Sequence, residues 1–542
     1  MAIAGPERAI SFRHPAAFWA GVAACALGVG LHLPMYIESR DMGYKMVGMT
    51  PNASMVIGMV AIVAGCLLAL YGLIPAKAAA VARKSARIRI DVLDDARLSW
   101  KHVSLLLAMS VAVTIDVMKP TALTFVSPGV AAEYGLKSVA NPHAAVPVAW
   151  LPLVGITGTV IGSFLWGALG DRIGRRASIL FAGILFVSTS ICGAMPGFQW
   201  NMLMCLMMGI GAGGMLPIAF ALIAETIPAR HRGWLIVLIG GNAAAAYALT
   251  SWLAGALTPE FSWRILWLIG LPTGLLLLAM NHWIPESPRF LLATGRRAAA
   301  EAVMRRFGAR IVAEDRSQVI PVAPTGFRNL FQRPFTGISI GITGLAIAVG
   351  LLTYGFQFWV PTNLQHLGLT VVTSDYVLRD SALLGLPLTA LTALAYGFWN
   401  SRRTVVILAL LTAVAVSVFA VFGDSLVHNR VLLSVLLIVP LSGIGTLVAV
   451  VTAYGSEIYP TRVRSRGTGW VAGMTKAGGV LILALVVGAV ATPSLAETAL
   501  LGAIPLLLAT VLFGRTAPDT RQRGLEDILR TEPAPAVVES AA

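Results

Sequence analysis

Apolar stretches of about twenty residues recur from one end of this 542-residue chain to the other, and that recurrence narrows the possible folds more than any single motif. At about 1.5 Å of rise per residue, each stretch is long enough as a helix to cross a hydrocarbon layer roughly 30 Å thick. Charged residues make up only 12% of the chain, about half the share of an average soluble domain. Soluble globular, disordered and collagen-like classes are excluded. A transmembrane β-barrel would show alternation within segments of about ten residues instead of long continuous blocks. The chain reads as an all-α polytopic membrane protein.

Fourteen spans are predicted, at roughly 16–37, 53–75, 102–127, 147–169, 178–196, 200–224, 234–258, 264–284, 335–361, 380–399, 404–423, 431–455, 468–491 and 498–515. The net charge of +15 might suggest nucleic acid, but its placement points to topology. Of the 40 Lys and Arg, 32 fall in the segments on the N-terminal side of the membrane and six on the other, with Lys119 and Lys476 inside spans. Positive residues accumulate on the cytoplasmic side, so both termini are expected there. Ala17 to Leu33 is apolar, but a second span follows with no clear cleavage site, so no removable signal peptide is read. Cys25, Cys66, Cys192 and Cys205 all lie in apolar runs and suggest no disulfide framework.

Two long loops divide the chain. Residues 1–75 form an added two-helix hairpin, and 76–101 a cytoplasmic linker. A first six-helix bundle covers 102–284, a basic central loop 285–334, a second six-helix bundle 335–515, and a polar tail 516–542.

After the fourth span stands Gly167-Ala168-Leu169-Gly170-Asp171-Arg172-Ile173-Gly174-Arg175-Arg176. Gly170 and Gly174 permit a tight turn, Asp171 suits a helix start, and the arginines anchor to one face of the membrane. Further on come Glu225-Thr226-Ile227-Pro228 with Arg232, Pro285-Glu286-Ser287-Pro288-Arg289, Glu457-Ile458-Tyr459-Pro460-Thr461-Arg462 with Arg466, and Pro518-Asp519-Thr520-Arg521. Together these segments resemble the signature loops of the major facilitator superfamily. The branch they resemble holds sugar porters, organic cation and anion transporters, synaptic-vesicle-glycoprotein-like transporters and aromatic-acid/proton symporters, and the resemblance covers residues 102–530. The second-half counterpart, Gly397-Phe398-Trp399-Asn400-Ser401-Arg402-Arg403, lacks the acid and the second glycine.

The resemblance implies a fold of six plus six helices, here with two extra at the N-terminus, whose halves rock about a central cavity. It implies a conformational switch made of Gly167, Asp171, Arg172, Gly174, Arg175, Arg176, Glu225, Arg232, Glu457, Arg462 and Arg466. The bland alternative is that these residues cap helices and set topology.

Asp116, Lys119 and Lys476 lie deep in predicted spans, where each charge costs roughly 2.5–3.5 kcal/mol on insertion scales. Such residues are expected at a cavity or in a pair. Asp116 and Lys119 are three apart and so are expected to share a face of the helix; a self-neutralising pair is the alternative. By resemblance Asp116 is the proton-coupling acid, and Lys476 matches a position where anion transporters place an arginine facing the substrate carboxylate. Two lysines against one acid favour an anion. Tyr354, Gln357 and Trp359, in a run resembling the family's Y-G-x-x-F-W-x-P pattern, and Asn242 are further candidates for the substrate site.

Gly209-Ile210-Gly211-Ala212-Gly213-Gly214 lies inside an apolar span with no preceding strand, so close helix packing is expected there rather than a dinucleotide site. No metal-ligand cluster, nucleophile elbow or phosphate loop appears, and neither an enzyme nor a cofactor is read. The expected function is secondary active transport of a small organic anion, a carboxylate or aromatic acid, by proton-coupled symport. The protein is expected to sit in the inner membrane and act as a monomer, with substrate, protons and lipid as its partners and no nucleic acid. Two competing readings are a proton-driven exporter of a drug-like or secreted metabolite, and a non-transporting sensor or scaffold.

Overall fold

The computed structural model describes residues 13–74, 80–81, 96–138, 141–280, 283–308, 327–333, 335–426, 429–459, 464–489 and 494–520. Among them, twelve helices are long and apolar enough to cross a membrane, and two shorter apolar helices accompany them. In chain order these are α1 (Pro15–Met42, with a turn at Leu31 and His32), α2 (Ala53–Leu73), α3 (Trp100–Tyr134), α4 (Trp150–Ile173), α5 (Arg175–Ala194), α6 (Phe198–Thr226), α7 (Arg230–Phe261), α8 (Ile265–Ala279), α9 (Thr336–His366), α10 (Val371–Phe398), α11 (Ser401–Leu426), α12 (Arg430–Glu457), α13 (Arg464–Ala489) and α14 (Leu495–Thr516). Arg462 lies outside the described residues.

The two halves, α3–α8 and α9–α14, meet along two seams: α4 against α13, and α7 against α10 and α12. Within each half, small residues set the closest approaches. Cβ atoms at Gly158 and Gly162 of α4 would collide with the α6 carbonyls of Leu206 and Ile210, while Gly209 and Gly213 of α6 press back on Gly155 and Thr159. The glycine run of α6 therefore packs helices, as its apolar context implies. Gly350 of α9 lies in the same way on Thr475 of α13.

The hairpin α1–α2 is built on one device repeated along its length. Cβ atoms at Gly21, Gly28, Gly58 and Gly65 would each lie 2.5–2.7 Å from a carbonyl of the opposite helix. The hairpin then seats on the first half against Val187 and Ile191 of α5. The end of α1 docks by Tyr36, which donates to the Phe261 carbonyl at 2.8 Å, and the connecting loop by the Met46 amide, which donates to Glu133 at 2.8 Å. Glu133 in turn holds Arg264 at 2.6 Å, with both side chains under 5% exposed.

Helix α10 starts nine residues earlier than hydropathy suggests. Thr370 caps it by accepting from the Thr373 amide, so residues 371–379 are helical rather than loop. Asp375, Arg379 and Asp380 depress the local hydropathy and hide this turn in the sequence. Helix α3 runs unbroken through Pro120 and Pro128.

Candidate functional site

Between the halves lies a cavity of about 140 Å³ lined from α3, α4, α6, α7, α9, α12 and α13. Asp116 and Lys476 face it from opposite halves, with Tyr247, Tyr354, Gln357 and Phe358 among the other walls. One carboxylate oxygen of Asp116, Oδ1, is fully buried and has no hydrogen-bond partner. Lys476 Nζ crosses from α13 to donate to Ser163 Oγ at 2.8 Å and to the Gly213 carbonyl at 2.6 Å. The ammonium and the carboxyl lie within electrostatic reach of each other.

Backbone geometry explains which aromatic groups of α9 look inward. Residues Thr353–Gln357 form a π-helical turn, which takes an extra residue into one turn of the helix and shifts the register of the side chains that follow. Tyr354, Gln357 and Phe358 consequently face the cavity, while Trp359 is 1% exposed, absent from the cavity wall, and packs edge-on against Phe358. Threonines are the wall residues that the sequence did not signal. Thr121, Thr353, Thr452 and Thr475 line the space, each donating its hydroxyl to a carbonyl four residues back on its own helix. Their oxygens stay available as acceptors.

Besides Trp359, two further residues expected at the substrate site, Lys119 and Asn242, point elsewhere. Lys119 is not on the cavity wall; its Nζ lies against Gly270 and over the Phe186 ring, 5.5 Å from the centroid. Three residues of α-helix turn the side chain by about 300°, enough to aim Asp116 between the halves and Lys119 into the interior of the first half. No ion pair joins the two among the described residues. Asn242 donates at 3.5 Å to the Ser110 carbonyl of α3 and is also absent from the wall.

The signature loop is folded around an acid. Gly174 adopts φ +97°, a left-handed conformation that suits glycine, and a Cβ there would collide with the carboxylate of Glu286. Glu286 accepts from the amides of Arg175 at 2.7 Å, Arg176 at 3.2 Å and Ser287 at 2.9 Å, capping the start of α5. Ser287 Oγ donates to Glu225 at 2.5 Å, and Arg175 Nη2 lies 3.9 Å from the other oxygen of Glu225. Glu286 lies outside the spans, and its burial pushes the carboxyl up to about 7 against the opposing pull of those amides and Arg176.

The second half repeats this arrangement with different residues. Asp519 accepts from the Ser401 amide at 3.0 Å and its hydroxyl at 2.8 Å, capping α11 as Glu286 caps α5. Thr520 Oγ1 donates to Glu457 at 2.6 Å, as Ser287 donates to Glu225. Tyr396 donates to the same Glu457 oxygen at 2.7 Å. Thus Pro518-Asp519-Thr520 stands to the second half as Pro285-Glu286-Ser287 stands to the first, although the loop beside it has lost its signature acid. Arg172 and Arg466 are exposed at helix ends on this same face, and Arg232 donates to the Ile227 carbonyl at 3.3 Å. Gly167 and Asp171 fall in the last turns of α4.

Comparison with known proteins agrees with this architecture. Residues 105–483 match the family model described as Major Facilitator Superfamily. The chain is 30% identical over 385 residues, 68% of its length and 81% of the relative's, to the inner membrane metabolite transport protein YgcS of Escherichia coli. It is 28% identical to the niacin transporter NiaP of Acinetobacter baylyi over 61% of this chain and 76% of that one. It is 26% identical to the 4-hydroxybenzoate transporter PcaK of Pseudomonas putida over 71% of this chain and 85% of that one. Among solved structures, the proton:xylose symporter XylE bound to 6-bromo-6-deoxy-D-glucose superposes with a TM-score of 0.62 at 17% identity, covering 80% of this chain and 99% of XylE. The chain belongs to the major facilitator superfamily and is a multi-pass membrane transporter of small molecules.

Proposed function

We propose that this transporter moves a small organic anion, a carboxylate or aromatic acid, together with a proton across the inner membrane, with both termini cytoplasmic and the monomer as the working unit. The observation that carries the reading is the placement of Lys476 and Asp116 in one cavity between the halves, walled by Tyr247, Tyr354 and Phe358. With Lys119 turned away, the cavity's formal charge depends on Asp116 alone. When Asp116 holds a proton, Lys476 leaves one net positive charge and an anion is attracted. When Asp116 is ionised, it neutralises Lys476, and the anion loses its partner. Anion and proton then favour the same state of the cavity, which is the logic of symport.

A bound carboxylate would also take Lys476 from Ser163 and Gly213, releasing a tie between α13 and the first half. On the signature-loop face, the Glu225 and Glu457 networks would break and reform as the halves rock. The relatives NiaP and PcaK, named for niacin and 4-hydroxybenzoate, support an aromatic acid of about that size. The test is uptake of labelled nicotinate and 4-hydroxybenzoate into proteoliposomes under an imposed pH gradient. Accumulation that collapses with the gradient supports symport; accumulation that rises when the gradient is reversed favours a proton-driven exporter.

A further inference from the structure

A second buried acid lies away from the cavity wall, in the seam where α7 of the first half meets α10 of the second. Asp375 is 2% exposed and stands in the first turns of α10. Helix α7 closes over it on the side opposite the signature loop. Ser251 donates its hydroxyl to the Asp375 carbonyl, and Gly255 lies against the Tyr376 ring, where a Cβ would come within 2.7 Å.

The Asp375 carboxyl makes no hydrogen bond or ion pair among the described residues. Its surroundings explain why. Arg379, one turn on, is held by Asp380 at 2.6 Å and sits over the Tyr376 ring, 4.5 Å from the centroid. From α9 the packing contact is the Pro361 carbonyl, which accepts from Ser374 at 3.4 Å. From α12 it is the Ser434 carbonyl, which accepts from Ser381 at 2.9 Å. No charged group of α9 or α12 acts on Asp375 among the described residues. The one titratable group of α7 within electrostatic reach is Tyr247, whose buried hydroxyl has no partner and which lines the cavity shared with Asp116.

An ionised carboxylate here would be a buried charge without a counter-ion, an arrangement proteins avoid. Opening the α7–α10 seam would admit water and remove that penalty. We propose that Asp375 is a proton station in this seam, neutral while α7 and α10 are closed, ionising when they part, and linked to the cavity through Tyr247. The transfer balances. Asp375 gives its proton to water admitted by the open seam, that water passes one to the Tyr247 oxygen, and the Tyr247 hydroxyl passes its own to the ionised carboxylate of Asp116 across the cavity, so Tyr247 ends neutral, Asp375 ionised and Asp116 protonated. In the reverse direction the same atoms return the proton. Asp375 acts on the proton alone, and the inference rests on the proton-coupled reading above.

The experiment compares wild type, Asp375→Asn and Asp375→Glu, full length in proteoliposomes, with labelled nicotinate and 4-hydroxybenzoate as probes. Counterflow needs no net proton movement, whereas accumulation under a pH gradient does. Asp375→Asn is expected to reduce accumulation at least about tenfold more than counterflow and to flatten its pH profile, with Asp375→Glu restoring both. Asp375→Asn accumulating with the wild-type pH profile overturns the proposal. Infrared difference spectra between acidic and alkaline buffer, taken without substrate, give a second readout. A protonated-carboxyl band that Asp375→Asn removes supports the station, and a spectrum that Asp375→Asn leaves unchanged overturns it. Wild type that accumulates neither acid under any gradient defeats the coupled-transport reading instead, and the infrared comparison still decides Asp375.

Discussion

Lys476 of α13 donates to the Gly213 carbonyl of α6 at 2.6 Å, so the cation that faces the cavity also ties the second half of the molecule to the first. Gly213 can be reached because α6 packs against α4 without side chains between them. A Cβ at Gly213 would strike the Thr159 carbonyl. The helix packing and the ligand chemistry are thus one piece of geometry.

Replacing that cation separates its two roles. A hydrogen bond to a charged group contributes about 1.5–3 kcal/mol, so Lys476→Ala should weaken binding of carboxylates by roughly 10- to 100-fold. Equilibrium binding to purified protein measures this. Unchanged affinity for the transported acid would remove Lys476 from the substrate site.

Asp116→Asn fixes the cavity in the charge state of the protonated acid. The anion should still be attracted, but its binding should no longer weaken as pH rises. Accumulation against a gradient should fall by about 100-fold or more, the lower end of what loss of a proton-transfer group costs. A variant that still accumulates substrate while moving protons normally would exclude Asp116 as the coupling acid.

Glu286 makes stability depend on pH in a direction unusual for a capping acid. Burial raises its carboxyl from the ordinary 4.5 to about 7. Between those values the folded chain holds a proton that the unfolded chain has lost. Its contribution is therefore complete below about pH 4.5 and declines as pH climbs to about 7, by up to about 3 kcal/mol. Glu286→Gln keeps one acceptor oxygen for the amides of α5 and removes the titration. Melting curves from pH 5 to 8 should show a shallower decline for this variant than for wild type, and parallel curves would argue against the assignment.

Gly174→Ala tests the turn itself. Its φ of +97° and the Glu286 carboxylate beneath it leave no place for a methyl group. With ψ at 159° this is an extended positive-φ conformation essentially confined to glycine, costing another residue about 1–3 kcal/mol, and displacement of Glu286 adds to that. A lower Tm and slower transport are expected, whereas Gly488→Ala, with nothing within 4 Å, should behave as wild type.

Much of this organisation is legible in the sequence, because bilayer thickness and charge asymmetry act on composition directly. The spans, the two halves and the signature loop follow from apolar length, loop charge and the spacing of Gly170, Asp171 and Gly174. Side-chain direction is less legible. Lys119 and Asp116 share one helix surface in a coarse reading, yet 60° of rotation puts one in the cavity and the other against Phe186. The π-helical turn at Thr353–Gln357 has no sequence signature of its own and decides that Tyr354 faces in while Trp359 does not. Asp375 is obscured by Arg379 and Asp380, whose charges make the segment look like loop. Glu286 stands out as part of a motif, but its role depends on a contact with the Arg175 amide, 111 residues away in sequence.

The most direct test of the central claim is a thermal-shift comparison of wild type and Lys476→Ala, with nicotinate, 4-hydroxybenzoate, nicotinamide and a quaternary ammonium compound at acidic and alkaline pH. A ligand at 100 times its dissociation constant adds about 2.7 kcal/mol of stability. The two acids should raise the Tm of wild type, more at acidic pH, and lose most of that effect in Lys476→Ala. Stabilisation by the amide or the cation alone, or equal stabilisation of both proteins by the acids, would contradict an anion site built on Lys476.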